Sequence, residues 1–454
     1  MRSLWALVGN TMAQALRLKI AVVFSILLLV LLPVMSLVMV GDGTIKGRLQ
    51  SFISYGLSLT SLLLCVLTII VSTYTVSSDI QQKQVYTVLT KPVRRYQYLC
   101  GKFLGVVLLD VVLLAAFSGL IYGLTSAIPS LLGTDAQQMQ ELRNEFFCAR
   151  ASLVPTLDEK EIAREVARQY RNLREAGELP AEMDENQVIA ELTHQRELAR
   201  RSAAPASQIT WEFTGVKPPQ PDQPFFVRYK YEVSVEPLDL NILGRWYVGD
   251  IRQYQYGYEM KTPIYVLERR DIIRTFHEIS VPANALASDG YLAVMFENPV
   301  QNNTVVMFPQ GVEFLYKADS FTFNFIRATL VIFARLIFLA ALGVSACTWL
   351  SFPVAVMVCC VVYFAASISG FFLESIEFLS KSWGLLYSLT IRPVIKLLPE
   401  FDKYNPINNI VSARLLSWAV LGWVFAVMVG VKAVVLWLLG MVIFAYREIA
   451  KIAV

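Results

Sequence analysis

The chain has 454 residues, 55% of them hydrophobic and only 17% charged, against about 25% charged in an average soluble protein. That balance excludes an ordinary soluble globule and specifies a polytopic membrane protein. A formal net charge of +4 gives no indication of nucleic acid; the six cysteines form no CxxC or Cys/His cluster, and His194 and His277 stand far apart, so no metal is indicated.

Residues 1–19 carry Arg2, Arg17 and Lys19 and no acid, with Leu4, Leu7, Val8, Met12, Ala15 and Leu16 at helical spacing. The pattern predicts an interfacial amphipathic helix with its apolar face in lipid. Residues 20–128 hold three apolar runs, at about 20–40, 52–76 and 100–128, each long enough to span a bilayer. The loop between the second and third runs has Lys83, Lys91, Arg94, Arg95 and Lys102 against Asp79 alone. Such a basic loop belongs in the cytoplasm, and so does the cationic N-terminus. Val85, Val88 and Leu89 give it a short amphipathic helix that stops before Pro92.

This orientation puts 129–322 outside. Residues 129–208 are rich in Glu, Arg, Gln and Ala, and TLDEKEIAREVARQYRNL places a capping box, Thr156 with Glu159, ahead of Ile162, Val166, Tyr170 and Leu173. A similar helix starts at Asp184, predicting a helical hairpin across Gly177–Pro180. From Ile209 the period becomes two: Phe225, Val227, Tyr229, Tyr231, Val233 and Val235 alternate with polar residues. Further strands are expected at 245–251, 256–260, 273–281, 290–297, 304–308 and 312–317, so 209–322 reads as an antiparallel, jelly-roll-like β-sandwich. Trp211, Trp246, Tyr254 and Tyr256 are the candidate ligand platform, weighed against an ordinary aromatic core.

Residues 323–454 complete the layout with runs at about 325–347, 353–373 and 415–446, and with semi-polar 374–411 expected as short helices at the outer interface. Arg447 and Lys451 place the C-terminus inside. The expected fold is therefore an α-helical membrane protein of six spans, both ends cytoplasmic, with an inserted extracytoplasmic α+β domain. Asp110, Arg335 and Lys432 fall near mid-membrane, where an unpaired charge is costly. Depth alone suggests that Asp110 pairs with Arg335, with Lys432 the second choice.

The run TVLTKPVRRYQYLCGKFLG resembles the first cytoplasmic loop of ABC-2 type ABC transporter permeases, closest to the branch associated with maturation of copper enzymes. Leu89, Thr90, Lys91, Pro92, Val93 and Arg95 match the turn, and Gly101, Lys102, Phe103 and Gly105 match the entry to span three. The resemblance implies a coupling helix at about 78–88, within the loop 78–99, that docks on a separate ATPase subunit. Asp79, Gln82, Lys83, Val85, Tyr86, Lys91, Pro92 and Arg95 are its implied contact residues. It also implies a homodimeric exporter in a bacterial inner membrane, surrounded by lipid, with ATP and Mg held by the partner ATPase and no cofactor on this chain. Gln81, Gln82 and Gln84 stand where such permeases often have acids, and the large insertion is not part of a minimal permease. The chain has no GxxxxGK[ST], so it is not expected to be an enzyme by itself. Two other readings remain: a membrane-anchored protein whose sandwich binds a saccharide or protein, and an ABC complex acting mechanically on a periplasmic partner.

Overall fold

A computed structural model describes residues 2–83, 94–155, 159–177, 185–216, 223–255, 261–370 and 398–446. They form two compact units, one of Met1–Ala149 with Ser320–Val454 and the other of Arg150–Asp319.

The first unit is helical: α1 (Arg2–Leu16), α2 (Lys19–Val38), α3 (Ile45–Gln81), α4 (Arg95–Leu131) and α5 (Ala136–Glu145) precede the insertion. Five of the helices described in this unit are long and apolar enough to cross a membrane: α2, α3, α4, α8 (Phe321–Ala346) and the composite α11 (Trp418–Tyr446). The chain is a multi-pass membrane protein on that ground. The sixth expected span is α9 (Phe352–Ser367), apolar but only 16 residues long, about 24 Å at helical rise. Its run of apolar sequence continues to Leu373, yet the helix ends at Ser367 with Ile368 as its C-cap, and Asp402 accepts from the backbone N–H of Gly370 just beyond.

α8 is the central helix, buried on all sides from Ala334 to Ala346. α3 packs on it with a row of hydroxyls that would be costly in lipid were they not bonded to their own helix. Thr68 donates to Leu64 O at 2.8 Å and Thr73 to Ile69 O at 2.6 Å. After the short α10 (Pro406–Val411), residues Phe425–Ala433 within α11 form a π-helix, in which hydrogen bonds reach one residue farther than in an α-helix.

The second unit holds the predicted helical hairpin, α6 (Glu159–Glu175) against α7 (Glu185–Arg201), closed by Ile162, Val166, Val188 and Leu192 with Tyr170 and Leu173 alongside. Thr156, the expected cap, lies outside the described residues. Two sheets follow: β1 (Cys148–Leu153), β9 (Val305–Ser320), β4 (Phe225–Val233) and β7 (His277–Val281) in that order, with β2 (Ser202–Ala203) paired to β9; and β3 (Gln208–Phe213), β8 (Leu292–Glu297), β5 (Asn241–Gly249) and β6 (Tyr265–Ile272). Their inner faces share one core that includes Phe225, Tyr229, Trp246, Phe296 and Phe314. β1 and β2 flank the hairpin in sequence, so the helical region is an insertion in the sandwich rather than a separate domain ahead of it.

The strand expectations need two corrections, and a third expectation is untested. The runs 304–308 and 312–317 are one strand, β9, with a register irregularity opposite Tyr229 and Tyr231. β6 was not anticipated, because Glu268, Arg269, Arg270 and Asp271 hide its alternation of half-buried Tyr265 and Leu267 with exposed Val266 and Glu268. The expected strand 256–260 lies outside the described residues.

Candidate functional site

The basic loop rests on a buried polar cluster at the ends of the two helices that carry it. Asp79, near the end of α3, accepts from the Lys102 ammonium of α4 at 2.8 Å, and these side chains are only 5% and 1% exposed. Tyr98 donates its hydroxyl to the same Asp79 oxygen at 3.0 Å. Gln14 of α1 completes the ring, donating to the other Asp79 oxygen at 3.2 Å and accepting from Lys102 at 2.8 Å. Arg95, the first residue of α4, reaches α11, donating to Ala445 O at 2.6 Å and Phe444 O at 3.3 Å. The Tyr98 ring stacks on Phe444 with centroids 5.8 Å apart. Four helices, α1, α3, α4 and α11, thus meet at the feet of one loop.

Gly101 and Gly105 of the entry motif have a steric role here. A Cβ on Gly101 would lie 2.6 Å from Leu7 Cβ, and one on Gly105 2.6 Å from Thr11 Cβ. Glycines four apart make a notch on one face of α4, and α1 lies in it. Val8, Thr11 and Ala15 are accordingly buried, while Trp5 is 67% exposed. Part of the face expected to lie in lipid, Val8 and Ala15 with half-buried Leu7, packs against protein instead, while Leu16 is 52% exposed.

The implied coupling residues fall into three groups. Asp79 is 4% exposed and ion-paired inside the bundle, so it is not a surface contact, and residues 78–81 are the last turn of α3 rather than a separate helix. Lys83 is exposed and takes a positive φ of 57°, ending the helix direction just after Gln82; Arg95 is exposed but tied to α11. Val85, Tyr86, Lys91 and Pro92 lie outside the described residues.

The intramembrane charges do not pair as depth suggested. An Asp110 carboxyl oxygen lies 2.9 Å from Thr68 Oγ1, whose one proton it shares with Leu64 O, and its other oxygen has no hydrogen-bond partner among the described residues. Arg335 turns the other way, donating to Phe401 O at 2.5 Å and Tyr404 O at 3.0 Å, with its guanidinium over the Phe401 ring. Lys432 donates to Leu398 O at 2.6 Å. Equal depth fixes height along the helices but not rotation about their axes. The cations instead hold irregular backbone that descends among the helices: Arg327 bonds Leu416 O near the start of α8, and Arg335, eight residues or about 12 Å farther along, bonds the 401–404 turn. Residues 398–404 are thus packed within the bundle, not laid along its outer edge as expected for 374–411; 374–397 lie outside the described residues. Irregular backbone at such depth is tolerated where protein groups satisfy its carbonyls.

In the sandwich, Trp246 has no exposed surface and its ring lies 4.1 Å from that of Tyr229 across the sheets. It is core, not platform. Trp211 stacks on it and is half-buried; the Tyr254 side chain and Tyr256 lie outside the described residues. A polar clamp joins the sheets instead: Tyr229 of β4 donates to the Asp271 carboxylate of β6, Tyr231 donates to Asp271 O at 3.3 Å, and Arg269 bonds the carboxylate at 2.9 Å. Burial, with the Asp271 charge behind it, pushes both tyrosine hydroxyls above their usual range.

Sequence reading counted Lys102 among the loop cations and missed Tyr98 and Gln14. The available signal was Gln14, a polar residue one turn beyond Thr11 on the packed face of α1. No protein-family model matches the chain, and no curated protein or solved structure does.

Proposed function

We propose that the chain is the permease subunit of an ATP-driven ABC exporter in a bacterial inner membrane, two copies forming the pathway and a separate ATPase, holding ATP and Mg, docking on the loop after α3. The observation that carries this reading is the clamp at the loop's feet. A force applied to residues 84–93 acts on Asp79 and Lys102, which tie α3 to α4, and on Arg95, which ties α4 to α11. Gln14 and the glycine notch bring α1 into the same unit. Rigid coupling of four helix ends to one basic loop is what a device driven from the cytoplasm requires, and an anchor needs none of it. The antiparallel sandwich, whose strand order suits a jelly roll, would then meet substrate or a periplasmic partner outside.

The test is co-expression of the full chain with candidate ABC ATPase subunits from the same genome. Capture of the chain should bring the ATPase down, and Lys91→Glu or Pro92→Ala should abolish co-purification while leaving the chain folded. An undiminished complex in both variants would overturn the docking assignment.

A further inference from the structure

The four-stranded sheet of the sandwich ends on β6, and no described strand pairs with it on the side away from β5. Ile273, directly after β6, donates its N–H to Leu240 O, its register partner, so the odd-numbered residues of the strand turn their backbone groups to β5. Val266, Glu268 and Arg270 turn theirs to the free edge, and at its end the His277 ring bonds Ile272 O at 2.8 Å. The even-numbered residues also carry the exposed side chains. Val266 and Ile272 are 57% and 50% exposed, and the side chains of Glu268 and Arg270 are 54% and 67% exposed. Charge on an edge strand normally keeps other strands away. Here the exposed face runs apolar, acid, base, apolar, and is its own complement when the strand is turned end for end. Glu268 also ends a row of alternating charge: Glu297 of β8 meets Arg245 of β5 at 3.3 Å, and Arg245 meets Glu268 at 3.5 Å. The next place in that row, beyond the edge, suits a cation.

We infer that β6 joins two copies of this chain, pairing antiparallel with β6 of the second copy so that Val266 faces Ile272 and Glu268 faces Arg270. Antiparallel pairing sets edge-facing residues opposite edge-facing residues, so even-numbered positions must meet even-numbered ones. Sliding the strands by two residues either way sets Glu268 against Glu268 or Arg270 against Arg270, and like charges directly opposite destabilise a sheet. The register between these two matches both charges and both apolar residues, and it closes as a two-fold dimer. Arg269 falls on the axis, on the other face, with its charge met by Asp271 of its own chain at 2.9 Å. Glu268 and Arg270 already have exposed partners within the chain, Arg245 and Asp239, and such pairs are worth little. The second copy adds to them. The charges decide the register, while the edge hydrogen bonds and the covering of Val266 and Ile272 supply the strength. A foreign strand would gain the same backbone bonds without the matched side chains, so the pattern selects a second copy. The contact stands whether or not an ATPase drives the chain.

The test is oxidative cross-linking, in membranes, of two differently tagged full-length chains expressed together without a partner ATPase, one carrying Val266→Cys and the other Ile272→Cys. Facing residues of an antiparallel pair lie about 5.5 Å apart, within reach of a disulfide. Two copies of Val266, or two of Ile272, would stand about 20 Å apart in this register. The mixed pair should therefore cross-link, and either variant alone should give no more product than the wild-type chain with its six cysteines. Glu268→Arg on the first chain sets arginine against Arg270 of the second and should abolish the cross-link; Arg270→Glu on the second should restore it. All four positions are exposed, so these variants keep the fold. No product above wild type, equal cross-linking within one variant, a product whose mass is not twice the chain, or a yield indifferent to Glu268→Arg would overturn the assignment.

Discussion

Lys102 and Asp79 form an ion pair at 2.8 Å with almost no solvent access, seven residues into α4 and two before the end of α3. Removing one partner of such a pair strands the other charge, at a cost of about 3–5 kcal/mol. Lys102→Met should therefore lower the melting temperature of the detergent-solubilised protein sharply. Adding Asp79→Asn should recover part of the loss, because the orphaned carboxylate is gone. Losses that simply add would show that the two residues are not coupled.

The glycine notch makes a steric prediction with its own control. Gly105→Leu has no room against Thr11 and Val8 O and should cost about 1–3 kcal/mol by overpacking, freeing α1. Limited proteolysis should then cut within residues 1–19. Gly9→Ala, on α1 itself, meets nothing within 4 Å and should leave the protease pattern unchanged.

How much of this could be read in advance follows from which interactions are local. Five of the six expected spans and the α6–α7 hairpin follow from hydrophobic period and length, and they stand where expected; the sixth, at α9, is described as a shorter apolar helix. The packing partner of α1 does not follow from its own period: Leu7, Val8 and Ala15 make the same stripe whether lipid or α4 covers it. The answer lay about ninety residues away, in Gly101 and Gly105, as the spacing of helices permits close approach only there. The Asp110–Arg335 expectation used depth, which composition supplies, and lacked azimuth, which only packing supplies. The basic loop's own residues 84–93 lie outside the described structure, so the candidate site is legible in structure only at its feet.

Because Arg335 and Asp110 have separate partners, they should behave independently. Arg335→Met strips Phe401 O and Tyr404 O of a charged donor and should destabilise by about 3 kcal/mol. Asp110→Asn keeps a carbonyl for Thr68 and should change stability by less than about 1 kcal/mol. A double-mutant cycle on thermal stability should give coupling below about 0.5 kcal/mol. Coupling of several kcal/mol, or rescue of Arg335→Asp by Asp110→Arg, would restore the direct pair.

The inter-sheet clamp predicts an alkaline limit for the sandwich. Tyr229 and Tyr231 have hydroxyls raised by burial and by Asp271, so the folded state holds their protons after an unfolded chain, with tyrosines near 10, has released them. The stabilisation is complete below about pH 10 and falls as pH rises above it, because the unfolded state then binds fewer protons than the native state. Hydrogen exchange on β4 and β6 of the full protein should accelerate, beyond the intrinsic base-catalysed rate, between pH 9 and 11, each figure being approximate. Tyr229→Phe should flatten that dependence while lowering stability at pH 7 by about 1–3 kcal/mol, since Asp271 loses one donor and keeps Arg269. An unchanged pH profile in Tyr229→Phe would place the alkaline sensitivity on another group.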